Sequence, residues 1–291
     1  MSLFVGRSAR GVAIAVVLAA AQGCGKGECD CVGPQDDTIF IHNGAVTIAG
    51  TLDVPSTPGP YPVMVFVPGS GTTTREDDKP AADIGLGYGI AVFRYDKRGL
   101  GQSTGTFEEV STANSERVLA DRASDVSAIV DYLRTDARVI HDKIFLWGTS
   151  QGAWVAPLVA AHNSGVAFVI NVVGGGSPVG TVIEYGRAGQ DASLSIDQMT
   201  QRASAFTGPY GYDPLAVVAS LNIPVLWIYG TEDRFTPTQL DVPRVSQLSK
   251  PNFAIKVFSN MNHDLRDATS GRYPSNLFPD VFAWGAPLLG L

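Results

Sequence analysis

The sequence predicts an α/β fold with a mostly parallel central sheet, an antiparallel N-terminal hairpin, helices on both faces and a small cap. Three observations carry this reading. Short apolar runs bounded by Gly, Pro or Asp recur along the chain, as buried strands do. Helical patterns lie between several of them, which is the alternation of a parallel sheet covered on both sides. The first two runs meet at Asn43-Gly44, a strong two-residue turn signal.

Taken in order, Thr38–His42 and Val46–Val54 form the opening hairpin. Pro62–Val67, Ile90–Tyr95, Lys143–Gly148, Ala167–Val173, Pro224–Tyr229 and Phe253–Phe258 read as buried strands. Over Glu116–Leu133 the residues Val118, Leu119, Ala123, Val126, Ile129, Val130 and Leu133 share one helical face. Ser150–His162, Pro237–Leu248 and Pro279–Leu289 are further expected helices. Between Val173 and Pro224 no strand is evident, and one helix, Ile196–Phe206, is expected there. The interval 174–222 therefore reads as a reduced cap inserted in a single domain over 37–291.

The chain has 291 residues, enough to bury a sizeable core without disulfides, and its formal net charge is −7. No basic run occurs, which argues against a nucleic-acid surface. Residues 1–23 read as a secretory signal peptide: Arg7 and Arg10 precede an uncharged apolar run, Gly11–Ala21, followed by small residues. The run is short for a permanent span, which needs about 20 apolar residues. Ala21-Gln22-Gly23-Cys24 resembles a bacterial lipoprotein cleavage box, making Cys24 a candidate for lipidation and membrane anchoring. Cys29 and Cys31 would remain as a cramped pair, and no nearby His completes a zinc pattern. Residues 24–36 are expected to be a flexible tether, and the protein to be exported.

Gly-x-Ser-x-Gly occurs twice, and context separates the two matches. Gly148-Thr149-Ser150-Gln151-Gly152 follows the apolar run Ile144-Phe145-Leu146-Trp147 and leads into Ala153-Trp154-Val155-Ala156. That is the strand, sharp turn and helix of a nucleophile elbow. Pro157 fits such a helix only near its start. Gly101-Gln102-Ser103-Thr104-Gly105 runs instead into Thr106-Phe107-Glu108-Glu109, with no apolar helix behind it. Ser150 is the expected nucleophile.

A serine hydroxyl needs a base, and the base needs a carboxylate to orient it. Of the four His, His42 lies in the hairpin and His141 before the strand that enters the elbow. His162 sits at the far end of the helix that Ser150 begins, roughly 18 Å away. His263 follows the last strand, at the end of the sheet where such sites gather. Glu232 and Asp233, after the strand Pro224–Tyr229, are both candidates for the acid, and the order Ser, acid, His excludes Asp267. Two backbone donors should receive the oxyanion. One is the amide of Gln151; the other lies in Pro68-Gly69-Ser70-Gly71, with Ser70 preferred and Gly71 a close alternative.

Val67-Pro68-Gly69-Ser70-Gly71, Arg94-Tyr95-Asp96-Lys97-Arg98-Gly99 and Leu146-Trp147-Gly148-Thr149-Ser150-Gln151-Gly152 together resemble bacterial carboxylesterases of the α/β-hydrolase superfamily. Pro224–Asp233 and Asn262-His263 continue the likeness, which runs from about Thr38 to the end. The resemblance implies hydrolysis of a small-molecule ester through an acyl-serine, with no metal and no cofactor. It also favours Asp233 over Glu232 as the acid. Thr149, Gln151 and Ala153 depart from the usual surroundings of the nucleophile. Arg75, in the polar stretch Thr72–Lys79, is a candidate contact for an acidic substrate group, against a plain solvated loop. The same residues would serve a thioesterase or peptidase, and a non-catalytic binding protein on this fold is the alternative from another class.

Overall fold

The computed structural model describes residues 38–291; the expected signal, the tether and Cys24, Cys29 and Cys31 lie outside them. The strands are β1 (Ile39–Asn43), β2 (Val46–Asp53), β3 (Tyr61–Val67), β4 (Ala91–Tyr95), β5 (Val139–Thr149), β6 (Val169–Val172), β7 (Val225–Gly230) and β8 (Phe253–Phe258). They form one sheet in the order β1-β2-β4-β3-β5-β6-β7-β8. The β1–β2 and β2–β4 pairs are antiparallel and all others parallel. This is the α/β-hydrolase architecture.

Each central strand is apolar on both faces, and alternate residues feed two separate cores. Ile144 and Leu146 of β5 enter one core and Phe145 and Trp147 the other; Trp227 and Ile228 of β7 divide in the same way. The first core is closed by α2 (Ser115–Leu133), α3 (Gly152–His162) and α7 (Thr238–Ser246). The second is closed by α1 (Lys79–Gly87) and α8 (Leu277–Leu289). Stacking of Phe145 on Phe168, with ring centroids 4.5 Å apart, anchors the second core.

The interval 174–222 holds three helices rather than one: α4 (Val179–Gly189), α5 (Ile196–Ser204) and α6 (Leu215–Ser220). A small core of Tyr185, Ala188, Met199 and Ala203 joins α4 to α5. Helix α4 escapes a propensity reading because Gly180, Gly186 and Gly189 interrupt it. Two of these permit close packing: a Cβ at Gly189 would lie 2.0 Å from the Arg234 carbonyl oxygen, and one at Gly180 2.4 Å from that of Pro209. Helix α1 replaces the expected loop end at Lys79, its start marked by Pro80.

Two boundaries shift for identifiable reasons. The hairpin turns at Gly44-Ala45, one residue later than expected, because Asn43 pairs with Val46. Asn43 is held in that register by Nδ2, which donates to Asp125 Oδ1 at 2.9 Å. Strand β5 begins earlier, at Val139, because it pairs with Tyr61 across an irregularity; exposed His141 and Asp142 hide that extension from a hydropathy reading. Pro157 lies in the middle of α3 and not near its start. It leaves the Ala153 carbonyl without its helical partner, and the chain at Gly175 packs against that oxygen.

Phe145→Ala should destabilise the domain by about 3–5 kcal/mol, since neighbours on a two-sided sheet cannot collapse into the space. Urea unfolding of both proteins measures this; a loss under about 1 kcal/mol would contradict the packing described.

Candidate active site

Ser150 sits between β5 and α3 at φ 54°, a left-handed conformation rare for a residue with a side chain. Its amide donates to the Val172 carbonyl of β6 at 2.8 Å, tying the turn to the neighbouring strand. The flanking glycines are demanded by contact. A Cβ at Gly152 would come 2.1 Å from the Val67 carbonyl oxygen, and one at Gly148 2.5 Å from that of Gly152.

His263 lies in the loop after β8. Its Nε2 is 3.0 Å from Ser150 Oγ and its Nδ1 2.8 Å from Asp233 Oδ2. The ring is mostly covered, with Phe235 at 5.0 Å between centroids. Asp233 is fully buried in the loop after β7. Its Oδ1 accepts from the amides of Phe235 and Thr236 at 2.7 and 2.9 Å, and its Oδ2 accepts from Thr236 Oγ1 at 2.6 Å as well as facing His263. Those donors satisfy an ionised carboxylate in a dry place and fix its rotamer. Glu232, the other candidate acid, is exposed and does not reach His263; Asp267 is bonded to Asn260, Thr269 and Ser270.

The loop after β3 runs alongside Ser150: a Cβ at Gly69 would lie 3.3 Å from Ser150 Cβ. Ser70 borders the site, and its amide and that of Gln151 have no acceptor among the described residues. Gly71 lies beyond the recesses, at φ 85°. Two recesses meet at Ser150 and His263. The larger, about 600 Å³, lies towards α1 and the loop before α8, with walls that include Phe66, Ile84, Trp147 and Phe278. Asp77, Asp78 and Asp264 border it, and burial pushes the Asp78 carboxyl up to about 6. The smaller, about 180 Å³, lies under α4 and is closed by Trp154, Val179, Val182 and Phe235. Gln151 is buried there, with its Oε1 unpartnered.

Arg75 is a correction to the sequence reading. It is buried, not solvated, and lines neither recess. Its backbone amide and Nη1 both donate to Asp96, and Nη2 donates to Gln102 Oε1 at 2.7 Å and Thr38 Oγ1 at 3.0 Å. A buried carboxylate takes the guanidinium inward, where it offers nothing to a substrate. Ser103 is equally committed: its Oγ donates to the Asp96 carbonyl at 2.7 Å and accepts from the Ala49 amide at 2.9 Å.

Several further residues support the site, and the sequence reading gave none of them a role. Tyr185 donates through its hydroxyl to the Asp233 carbonyl at 2.8 Å. Arg234 donates to the carbonyls of Gly189, Asp191 and Leu194, tying α4 and α5 to the loop that carries Asp233. Lys97 donates to the carbonyls of Gly69 and Gly71 at 2.9 and 2.5 Å. Among the described residues no group of three His, Cys, Asp or Glu side chains is placed to hold a metal ion.

Residues 43–213 match the model of the X-Pro dipeptidyl-peptidase (S15) family. Esterase EstD of Thermotoga maritima is 25% identical over 266 residues, a match that takes in 80% of this chain. The chain spans about 61% of the length of that relative. Est1E of Butyrivibrio proteoclasticus, solved with ferulic acid, superposes with a TM-score of 0.61 at 19% identity, covering 87% of this chain and 100% of that one. The α/β hydrolase GrgF of Penicillium sp. sh18 gives a TM-score of 0.64 at 17% identity, covering 87% and 99%.

Arg75→Met should cost about 3–5 kcal/mol in urea unfolding, because Asp96 is left buried and unpaired. KM for a neutral or an anionic ester should stay within about twofold of wild type. A KM that rises for anionic esters alone would return Arg75 to the substrate.

Proposed function

The chain belongs to the X-Pro dipeptidyl-peptidase (S15) family, and from the geometry at Ser150 we propose that it is a serine hydrolase cleaving small acyl esters through an acyl-Ser150 intermediate. The observation that carries the proposal is the unbroken chain from Asp233 Oδ2 through His263 to Ser150 Oγ, at 2.8 and 3.0 Å.

In this reading Ser150 Oγ attacks the acyl carbonyl while His263 Nε2 takes its proton. Asp233 accepts from Nδ1–H, fixing the tautomer and stabilising the imidazolium that forms. The amides of Gln151 and Ser70 receive the oxyanion. Collapse expels the alcohol with the proton returned by His263; water, activated by the same base, then frees the acid. The two recesses at Ser150 would divide the substrate, one for the acyl group and one for the alcohol. The name of the Thermotoga relative favours esters. The family description favours a second reading, release of an Xaa-Pro dipeptide, which the same three residues would serve.

Purified protein should form a stoichiometric adduct with a fluorophosphonate probe on Ser150 and none on Ser103. Ser150→Ala should lower kcat by on the order of 10⁴-fold or more, and Asp233→Asn by about 10⁴-fold. Glu232→Gln should stay within about twofold. An intact, folded protein with no adduct sinks the hydrolase reading. Parallel assays on p-nitrophenyl esters and an Xaa-Pro p-nitroanilide separate the two substrate classes: greater kcat/KM on the anilide would move the assignment to a peptidase.

The N-terminal segment supports export, with Cys24 as the lipidated first residue of the mature chain. Mass spectrometry of the natural N-terminus should find a diacylglyceryl Cys24, and an unmodified terminus would remove the anchor.

A further inference from the structure

Lys97 follows the end of β4 and is only 3% exposed, yet among the described residues it forms no ion pair. Its polar partners are two main-chain carbonyls, Gly69 at 2.9 Å and Gly71 at 2.5 Å, and the Phe107 ring lies 5.6 Å from its ammonium. Burying a cation with no carboxylate within ion-pair distance is costly, so a domain gains little in stability by placing one there without return. The two carbonyls bracket Ser70. In a trans peptide the C=O and the following N–H point in opposite directions across one rigid plane. The Gly69–Ser70 peptide is trans, so a cation gripping the Gly69 oxygen fixes where the Ser70 N–H points. It also draws charge towards that oxygen, leaving the N–H a stronger donor.

We propose that Lys97 is a positioning residue for catalysis, its ammonium holding the Gly69–Gly71 loop so that the Ser70 amide meets the oxyanion formed at Ser150. This rests on the hydrolase reading and on Ser70 as one of the two oxyanion donors. A preorganised donor is worth most in the transition state, where the charge is, and little in the ground state. Loss of the ammonium therefore lowers kcat and leaves KM nearly alone.

The ammonium is also poised to titrate. Burial first, then Arg122 of α2, pushes Lys97 down to about 8, against the pull of Glu109 from the preceding loop and Asp78 at the start of α1. Below that pH the loop is held by a cation; above it the amine is neutral and its grip on the carbonyls weakens. Asp78 titrates lower, at about 6, so it does not produce an alkaline change. An arginine at 97 stays charged throughout the range.

The experiment compares wild type, Lys97→Met and Lys97→Arg on p-nitrophenyl butyrate from pH 6 to 10. Each protein is also titrated with a trifluoromethyl ketone, whose serine adduct places an oxyanion in the same donors. Lys97→Met should lose about tenfold or more in kcat with KM within about twofold, and its affinity for the ketone should fall by a similar factor. Wild-type kcat/KM should fall above pH 8, and in Lys97→Arg the fall should move to higher pH. Lys97→Met with wild-type kcat and ketone affinity overturns the proposal. If Lys97→Met does not fold, the pH profiles decide: an alkaline fall that is absent from wild type, or unmoved in Lys97→Arg, overturns it. A wild type that gives no fluorophosphonate adduct removes the hydrolase reading, and this inference with it, whereas an active wild type with an indifferent Lys97 removes this inference alone.

Discussion

A side chain is presented at the end of a buried parallel strand only if the main chain turns sharply enough to leave the sheet at once. Ser150 meets that demand at φ 54°, and main chain crowds it from three directions. The Val67 carbonyl of β3 lies against Gly152, the Val172 carbonyl of β6 takes the Ser150 amide, and the Gly152 carbonyl presses on Gly148. None of these contacts is made by a side chain that could move aside. The strained conformation is over-determined by the strand spacing, so Oγ stands in one place before any substrate arrives. Everything else at the site is placed relative to that point: the loop after β3 alongside it, His263 and Asp233 carried in by the loops after β8 and β7.

Legibility in the sequence followed the physics of each element. A strand buried on both faces is a continuous apolar run, so β7 was nearly complete in the sequence, while β5 lost its start to polar His141 and Asp142. Helix α2 announced itself through one apolar stripe, whereas α4 did not, because glycines selected for close packing mimic a loop. At the site, Ser150 could be singled out by its strand–turn–helix context and His263 by elimination, Asp233 over Glu232 only through the family resemblance, and the structure gathers the three within hydrogen-bond reach. Arg75 was misread because a charged residue in a polar stretch looks solvated; its partner Asp96 lies 21 residues on, and nothing local betrays the pairing. Tyr185 was invisible for the same reason: it meets Asp233 across 48 residues of chain.

The charged stretch at the end of β4 shows how four residues of the run 94–98 can serve different neighbours. Arg94 reaches Asp53 on β2 and the Arg75 carbonyl, Asp96 receives Arg75, Lys97 holds the loop after β3, and Arg98 bonds Asp125 on α2. Such a run would read as a solvated tip on composition alone. Here three of the four are buried, and the four draw their partners from the sheet, the loop after β3 and a helix. The site's rigidity therefore draws on polar contacts as much as on the two apolar cores, and those polar contacts sit on the side of Ser150 away from His263's loop.

Arg234 hydrogen-bonds the interval 174–222 through the carbonyls of Gly189, Asp191 and Leu194, and among the described residues to no side chain of that interval. Carbonyls are present whatever residue occupies a position, so this clasp is blind to the identity of most of what it holds. Amino acids facing the small recess, such as Val182 and Ile183, can be exchanged during divergence without loosening the helices from the loop that carries Asp233. The chemistry and the shape of the chamber around it are thereby free to evolve at different speeds.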